Sequence, residues 1–130
     1  MISDLQTELD SLTELNSEYL FDYLLEQGQS MSSLPVKFKT YENEVQGCQS
    51  RVWMVAEQTG NVWNFAIDSD AFIVKGIARL ITLACNGSTK EEILDLKFQN
   101  FHSIAKFLTT QRQQGLQAMI NRVHSIVKNS

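Results

Sequence analysis

The chain opens in helical rhythm. Over residues 3–15, SDLQTELDSLTEL, the leucines Leu5, Leu9 and Leu12 recur at helical spacing and predict an amphipathic helix. Asn16 or Ser17 then caps a second helix, EYLFDYLLEQG, whose Tyr19, Leu20, Tyr23 and Leu24 share a face and whose end is expected at Gly28. Residues 29–40 form a polar link through Leu34 and Pro35. From Tyr41 the period falls to two. Val52, Met54 and Ala56 alternate with Arg51, Trp53 and Val55, and after QTGN the residues Trp63, Phe65 and Ile67 alternate with Val62, Asn64 and Ala66. Two β-rich runs around a short glycine-containing loop predict an antiparallel hairpin, and residues 42–46 are expected to add a third strand.

Helical spacing returns in IDSDAFIVKGIARLITLACNG. Asp68 or Ser69 is the expected cap, and Phe72, Ile73, Ile77, Leu80, Ile81 and Ala84 form an apolar face that stops before Asn86-Gly87. Ser88 and Glu91 have the spacing of a capping box. A short helix around QNFHSIAKFL follows, then a last helix over about 112–128 with Leu116, Met119, Ile120, Val123, Ile126 and Val127 on one side. Helices, then strands, then helices predict an α+β fold with one small antiparallel sheet of about three strands.

A chain of 130 residues buries roughly two-thirds of its unfolded surface, enough for one domain over 1–130 without a metal or disulfide to hold it. Charge sharpens this picture. Residues 1–44 hold nine acids and two bases, for −7, whereas residues 45–130 hold six acids and nine bases, for +3. The acidic part is the helical hairpin, either a solvated face or a surface that steers a protein partner. No basic cluster is interleaved with aromatics, so nucleic acid is not an expected partner. The longest apolar run, AFIVKGIARLITLAC, contains Lys75 and Arg79 and is too short to span a bilayer. The N-terminus is acidic and lacks the pattern of a signal peptide, so a soluble cytoplasmic protein is expected.

The remaining chemistry centres on thiols. Cys48 and Cys85 are too few for a disulfide framework. Cys85 closes an apolar helix and reads as a packing residue. Cys48 follows Gly47, which permits a sharp or left-handed turn, and precedes a strand. A thiol there is either packed in the turn or presented as a nucleophile from a loop on a rigid sheet. A cysteine hydrolase would need His102 or His124 as base, and both fall in predicted helices. Zinc would need closely spaced ligand pairs, which the sequence lacks. Asp68 and Asp70 straddle a helix start, where capping and the helix dipole account for them.

The string EVQGCQSRVWMV closely resembles the signature of the SufE family, sulfur acceptors of iron–sulfur cluster assembly that include CsdE. DSDAFIVKGI at 68–77 and QRQQGLQAMI at 111–120 agree in order and spacing. The resemblance runs from about residue 34 to the end, with the hairpin over about 3–28 fitting more loosely. It implies an α+β fold shared with IscU-type scaffolds, with the cysteine on a loop at the edge of a small sheet. It also implies that Cys48 takes persulfide sulfur from a pyridoxal-phosphate cysteine desulfurase, hands it to a scaffold or another acceptor, and stimulates the desulfurase. The pyridoxal phosphate belongs to the partner, and this chain is expected to bind no cofactor or metal. Gln49 and Ser50 are expected to orient the cysteine loop, Asp70 to lie at the same end of the sheet, and Arg112 to favour the thiolate if it lies near Cys48. The alternative from another class is a non-catalytic adaptor that binds and activates a desulfurase with Cys48 dispensable.

Overall fold

The computed structural model describes residues 1–12 and 17–130, with Ser17 described by its backbone alone. The helical hairpin is α1 (Ile2–Asp10) and α2 (Ser17–Ser30). α1 stops at Asp10, with Ser11 as its C-cap, short of the expected end; residues 13–15 of the expected 3–15 helix, Asn16 and the side chain of Ser17, the expected caps of the second helix, lie outside the described residues. Leu5, Leu9, Leu20 and Leu24 are all buried, as their spacing predicts.

Gly28 does not end α2, which continues to Ser30. A Cβ on Gly28 would lie 2.0 Å from the carbonyl oxygen of Phe72, and one on Gly76 would lie 2.1 Å from that of Leu24. Both residues belong to the crossing of α2 with α3 (Phe72–Cys85), where backbone touches backbone. The glycine is there for close approach rather than for a left-handed cap.

The hairpin β1 (Val52–Thr59) and β2 (Val62–Ser69) forms in register from Val52 opposite Ser69 to Thr59 opposite Val62. Its two-residue turn puts Gly60 at φ +63, as a glycine-first hairpin turn requires. The third strand is not residues 42–46. That segment makes a single bridge, Glu44 to Trp53, while β3 (Ser88–Thr89) pairs with the other edge of β2, giving the order β1–β2–β3. Ser88 is therefore committed to the ladder opposite Trp63, and the capping box moves one residue on: Thr89 caps α4 (Lys90–Leu94) with Glu92 as its reciprocal partner.

Beyond α4, a 3₁₀ turn (Phe98–Phe101) leads into the one-turn α5 (His102–Ala105), and α6 (Thr110–Lys128) completes the chain. Helices α1, α2 and α6 pack around α3, which lies on the sheet. The core joins Leu24, Met54, Ile67, Ile81, Phe101 and Met119 among others. The architecture is α+β, as the sequence predicts. Phe72 departs from its expected place: it is 52 % exposed at the start of α3. No helix among the described residues is long and apolar enough to cross a membrane.

Candidate functional site

Cys48 sits on the loop 46–51, whose roots are zipped by two hydrogen bonds. The Val45 N–H donates to the Val52 carbonyl at 2.7 Å, and the Met54 N–H to that of Asn43 at 2.8 Å. At the tip Gly47 adopts φ +90, a conformation costly for any residue with a Cβ, and this turns the chain so that Cys48 faces α6. The thiol donates weakly to the carbonyl of Gly115 at 3.7 Å. Gly115 has no side chain there, so the sulfur lies against bare helix.

Asp70 holds the far root of the loop. Its carboxylate accepts from the Arg51 N–H at 3.1 Å, its own N–H donates to the Arg51 carbonyl at 3.3 Å, and Ser69 Oγ donates to the same carbonyl at 2.8 Å. The Arg51 guanidinium pairs with Glu44 at 2.8 Å and lies 5.0 Å from the centre of the Trp53 ring. Neither Asp68 nor Ser69 is the helix N-cap: that position is Ala71, which makes no side-chain cap bond. Ser69 Oγ instead accepts from the Ala71 N–H at 3.2 Å.

Asp68 is a finding that sequence reasoning missed. It is 1 % exposed and paired with Lys75 and Lys39, each at 3.2 Å, and it also accepts from the N–H groups of Leu34 and Ser69. Burial alone would push its carboxyl up. The hydrogen bonds from Leu34, Ser69, Lys75 and Lys39 together win and hold it below the ordinary value of 3.8. The three charges come from the 31–40 link, β2 and α3, each of which reads as solvated on its own.

Cys48, Gln49, Ser50 and Arg112 share one cavity of about 500 Å³ between the loop, α2, α3 and the start of α6. Leu25, Phe72 and Met119 are among its apolar walls. Asp70 does not line it, though its neighbours Ala71 and Phe72 do. Arg112 lines it but does not assist the thiol. Its guanidinium lies over Phe21, 5.3 Å from the ring centre, and burial alone pushes the Cys48 thiol up to about 11. At neutral pH the sulfur is therefore a sheltered, protonated thiol. Cys85 is fully buried, and burial pushes it up to about 12.

Neither histidine lines this cavity. His102 begins α5, and His124 lines a separate cleft with Asn121 and Lys97. Among the described residues no three His, Cys, Asp or Glu side chains gather as a metal site would require. The wall residue Gly115 falls inside the quoted block QRQQGLQAMI, and a glycine in a helix interior is the available signal for it.

A family model for SufE, the Fe-S metabolism associated domain, matches residues 4–127. The chain belongs to the SufE family. A solution structure of a hypothetical protein from Thermus thermophilus is similar over 97% of this chain and 94% of its own, with a TM-score of 0.79 at 22% sequence identity. That likeness shows the shared fold. The SufE match takes in the hairpin as well as the cysteine loop, so the acidic α1–α2 pair is part of the family domain. It also ties the chain to iron–sulfur metabolism.

Proposed function

We propose that this SufE-family chain is a covalent sulfur carrier. Cys48 accepts sulfane sulfur from a pyridoxal-phosphate-dependent cysteine desulfurase and passes it to an iron–sulfur scaffold or another acceptor, and product removal stimulates the donor. The observation that carries the reading is a single thiol on a glycine turn, opening into a cavity with no histidine or acid among the described residues of its walls. Hydrolysis has no base here, whereas sulfur exchange needs none. The Cys48 thiolate attacks the outer sulfur of the donor persulfide, forming a new S–S bond as the old one breaks. The donor sulfur leaves as thiolate and takes up the proton that Cys48 gave up. No oxidant or reductant enters.

The resting thiol is too basic to react fast, so transfer requires the 46–51 loop to leave Gly115 when the partner docks. Asp70 and Ser69 keep the loop root fixed while the tip moves, and Gln49 and Ser50 follow Cys48 along the cavity wall. Arg112 is the cation available to a thiolate or persulfide at the cavity. A carrier of this kind works in a reducing compartment, here the cytoplasm, as one domain over 1–130.

The elevated thiol also suits the adaptor reading, in which Cys48 is dispensable. Intact-mass spectrometry after incubation with a cysteine desulfurase and cysteine separates the two. The carrier gains one or more sulfur atoms on the Cys48 peptide, loses them to dithiothreitol, and gains none as Cys48→Ser. An unchanged mass with the desulfurase still stimulated would establish the adaptor instead.

A further inference from the structure

The cavity beside Cys48 is much larger than a persulfide sulfur needs. At about 500 Å³ it falls in the size range of small-molecule sites, and it has their composition: mostly apolar walls with a few convergent polar groups. Among the described residues Arg112 is the one charged residue on those walls. Among the described residues its guanidinium has no carboxylate partner and no hydrogen-bond acceptor; it rests on the Phe21 ring. Thr109 and Gln111 line the same end, so the positive pole of the 19-residue α6 faces the cavity beside the guanidinium. The cation and the helix pole both select an anionic ligand, and no acid among the described wall residues opposes one.

The thiol narrows the class. Arg112 and Gly115, whose carbonyl holds the thiol, both stand on α6 and on the wall of this one cavity, so a ligand held there through an anionic group shares the cavity with Cys48 Sγ. We propose that the cavity binds low-molecular-weight persulfides that carry a carboxylate, with Arg112 and the α6 N-terminus holding the carboxylate and the outer sulfur placed at Cys48. Cys48 can then be loaded without a protein donor: its thiolate bonds to the outer sulfur, the S–S bond of the small persulfide breaks, and the mercapto acid leaves as its thiolate and is protonated. The proposal rests on Cys48 being a sulfur acceptor.

The test uses two persulfides of nearly equal size, those of 3-mercaptopropionate and 2-mercaptoethanol, each prepared from its disulfide and sulfide. The loading rate of Cys48 is followed by the mass of its proteolytic peptide, which separates it from Cys85, and each rate is divided by that of the same persulfide with the urea-unfolded chain. The expected result is saturable loading by the carboxylate compound and a preference for it of about tenfold or more, the worth of one charge-assisted hydrogen bond. Arg112→Gln brings the ratio to about one, and Arg112→Lys retains part of it. Equal normalised rates in the unmodified protein, loading linear in concentration, or a preference that survives Arg112→Gln would overturn the site. The unmodified protein alone decides the first two, so a poorly folded variant does not obscure the answer. Loading by a desulfurase with no preference among small persulfides would sink this proposal and leave the carrier function standing.

Discussion

The α2–α3 crossing and the Cys48 cavity are each built around glycines, and they use them in opposite ways. At the crossing, a Cβ on Gly28 or Gly76 would run into a backbone carbonyl of the facing helix. At the cavity, a Cβ on Gly115 would meet only Cys48 Sγ, at an ordinary 3.7 Å. The crossing needs its missing side chains for backbone packing, whereas the site would hold a methyl beside its sulfur in ordinary contact. The rigid half thereby fixes where α3 starts, and the start of α3 supplies Asp70, Ala71 and Phe72 to the loose half.

The largest test of this division is the ionic pin beside the crossing. Lys75 precedes Gly76 and is 4 % exposed, so removing its carboxylate partner strands a buried charge. Asp68→Asn is expected to cost about 3 kcal/mol in urea unfolding at pH 7, a large part of a domain's stability. The pH dependence has a defined sign. The Asp68 carboxyl is held below 3.8, so its contribution is present above that value and lost as pH falls through the lower, folded-state value. The stability gap between wild type and Asp68→Asn should accordingly narrow below pH 3.8 and stay constant through neutrality. A gap that persists unchanged in acid would mean that the carboxylate does not carry the pin.

Next in size is Gly76→Ala. The new methyl gains about 1 kcal/mol of helix propensity, yet it overlaps a carbonyl that no rotamer change can move. The helices must separate, at a net cost of about 2 kcal/mol by chemical denaturation. A neutral result would show that α2 and α3 have slack and would erase the contrast with the cavity.

What is legible in the sequence divides along the same line. The hairpin is readable because alternation over several residues has one interpretation, and the SufE family is readable because the GCQSRVW string is specific. Gly28 misleads because a glycine near the end of an apolar period signals a cap or a close contact equally well, and only the position of the Phe72 carbonyl decides. The capping box has two overlapping matches, Ser88 with Glu91 and Thr89 with Glu92; pairing of Ser88 with Trp63 selects the second. A two-residue strand such as Ser88–Thr89 has no period to find, so the pattern points instead to residues 42–46, whose pairing stops at one bridge. The Asp68–Lys75–Lys39 cluster is invisible for a different reason. Each member is an ordinary surface residue in its own segment, and the fold alone brings them together. Arg112 is at the site, as the sequence suggests, but not against the sulfur, because a sequence match fixes a helix face and not the ring its guanidinium rests on.

The smallest expected effect is the most discriminating. Gly115→Ala adds a Cβ in ordinary contact with Cys48 Sγ inside a long helix where glycine is costly. It should stabilise the protein by about 0.5–1 kcal/mol, the opposite sign to Gly76→Ala. Both substitutions add the same methyl to a buried helical glycine, so propensity cancels between them and the difference reports the space each site holds. If Gly115→Ala instead destabilised the fold, the wall behind Cys48 would be as tightly packed as the crossing. A thiol held that tightly could not leave its helix to meet a partner, so the sign of one methyl's effect also bears on whether the cysteine loop is free to move.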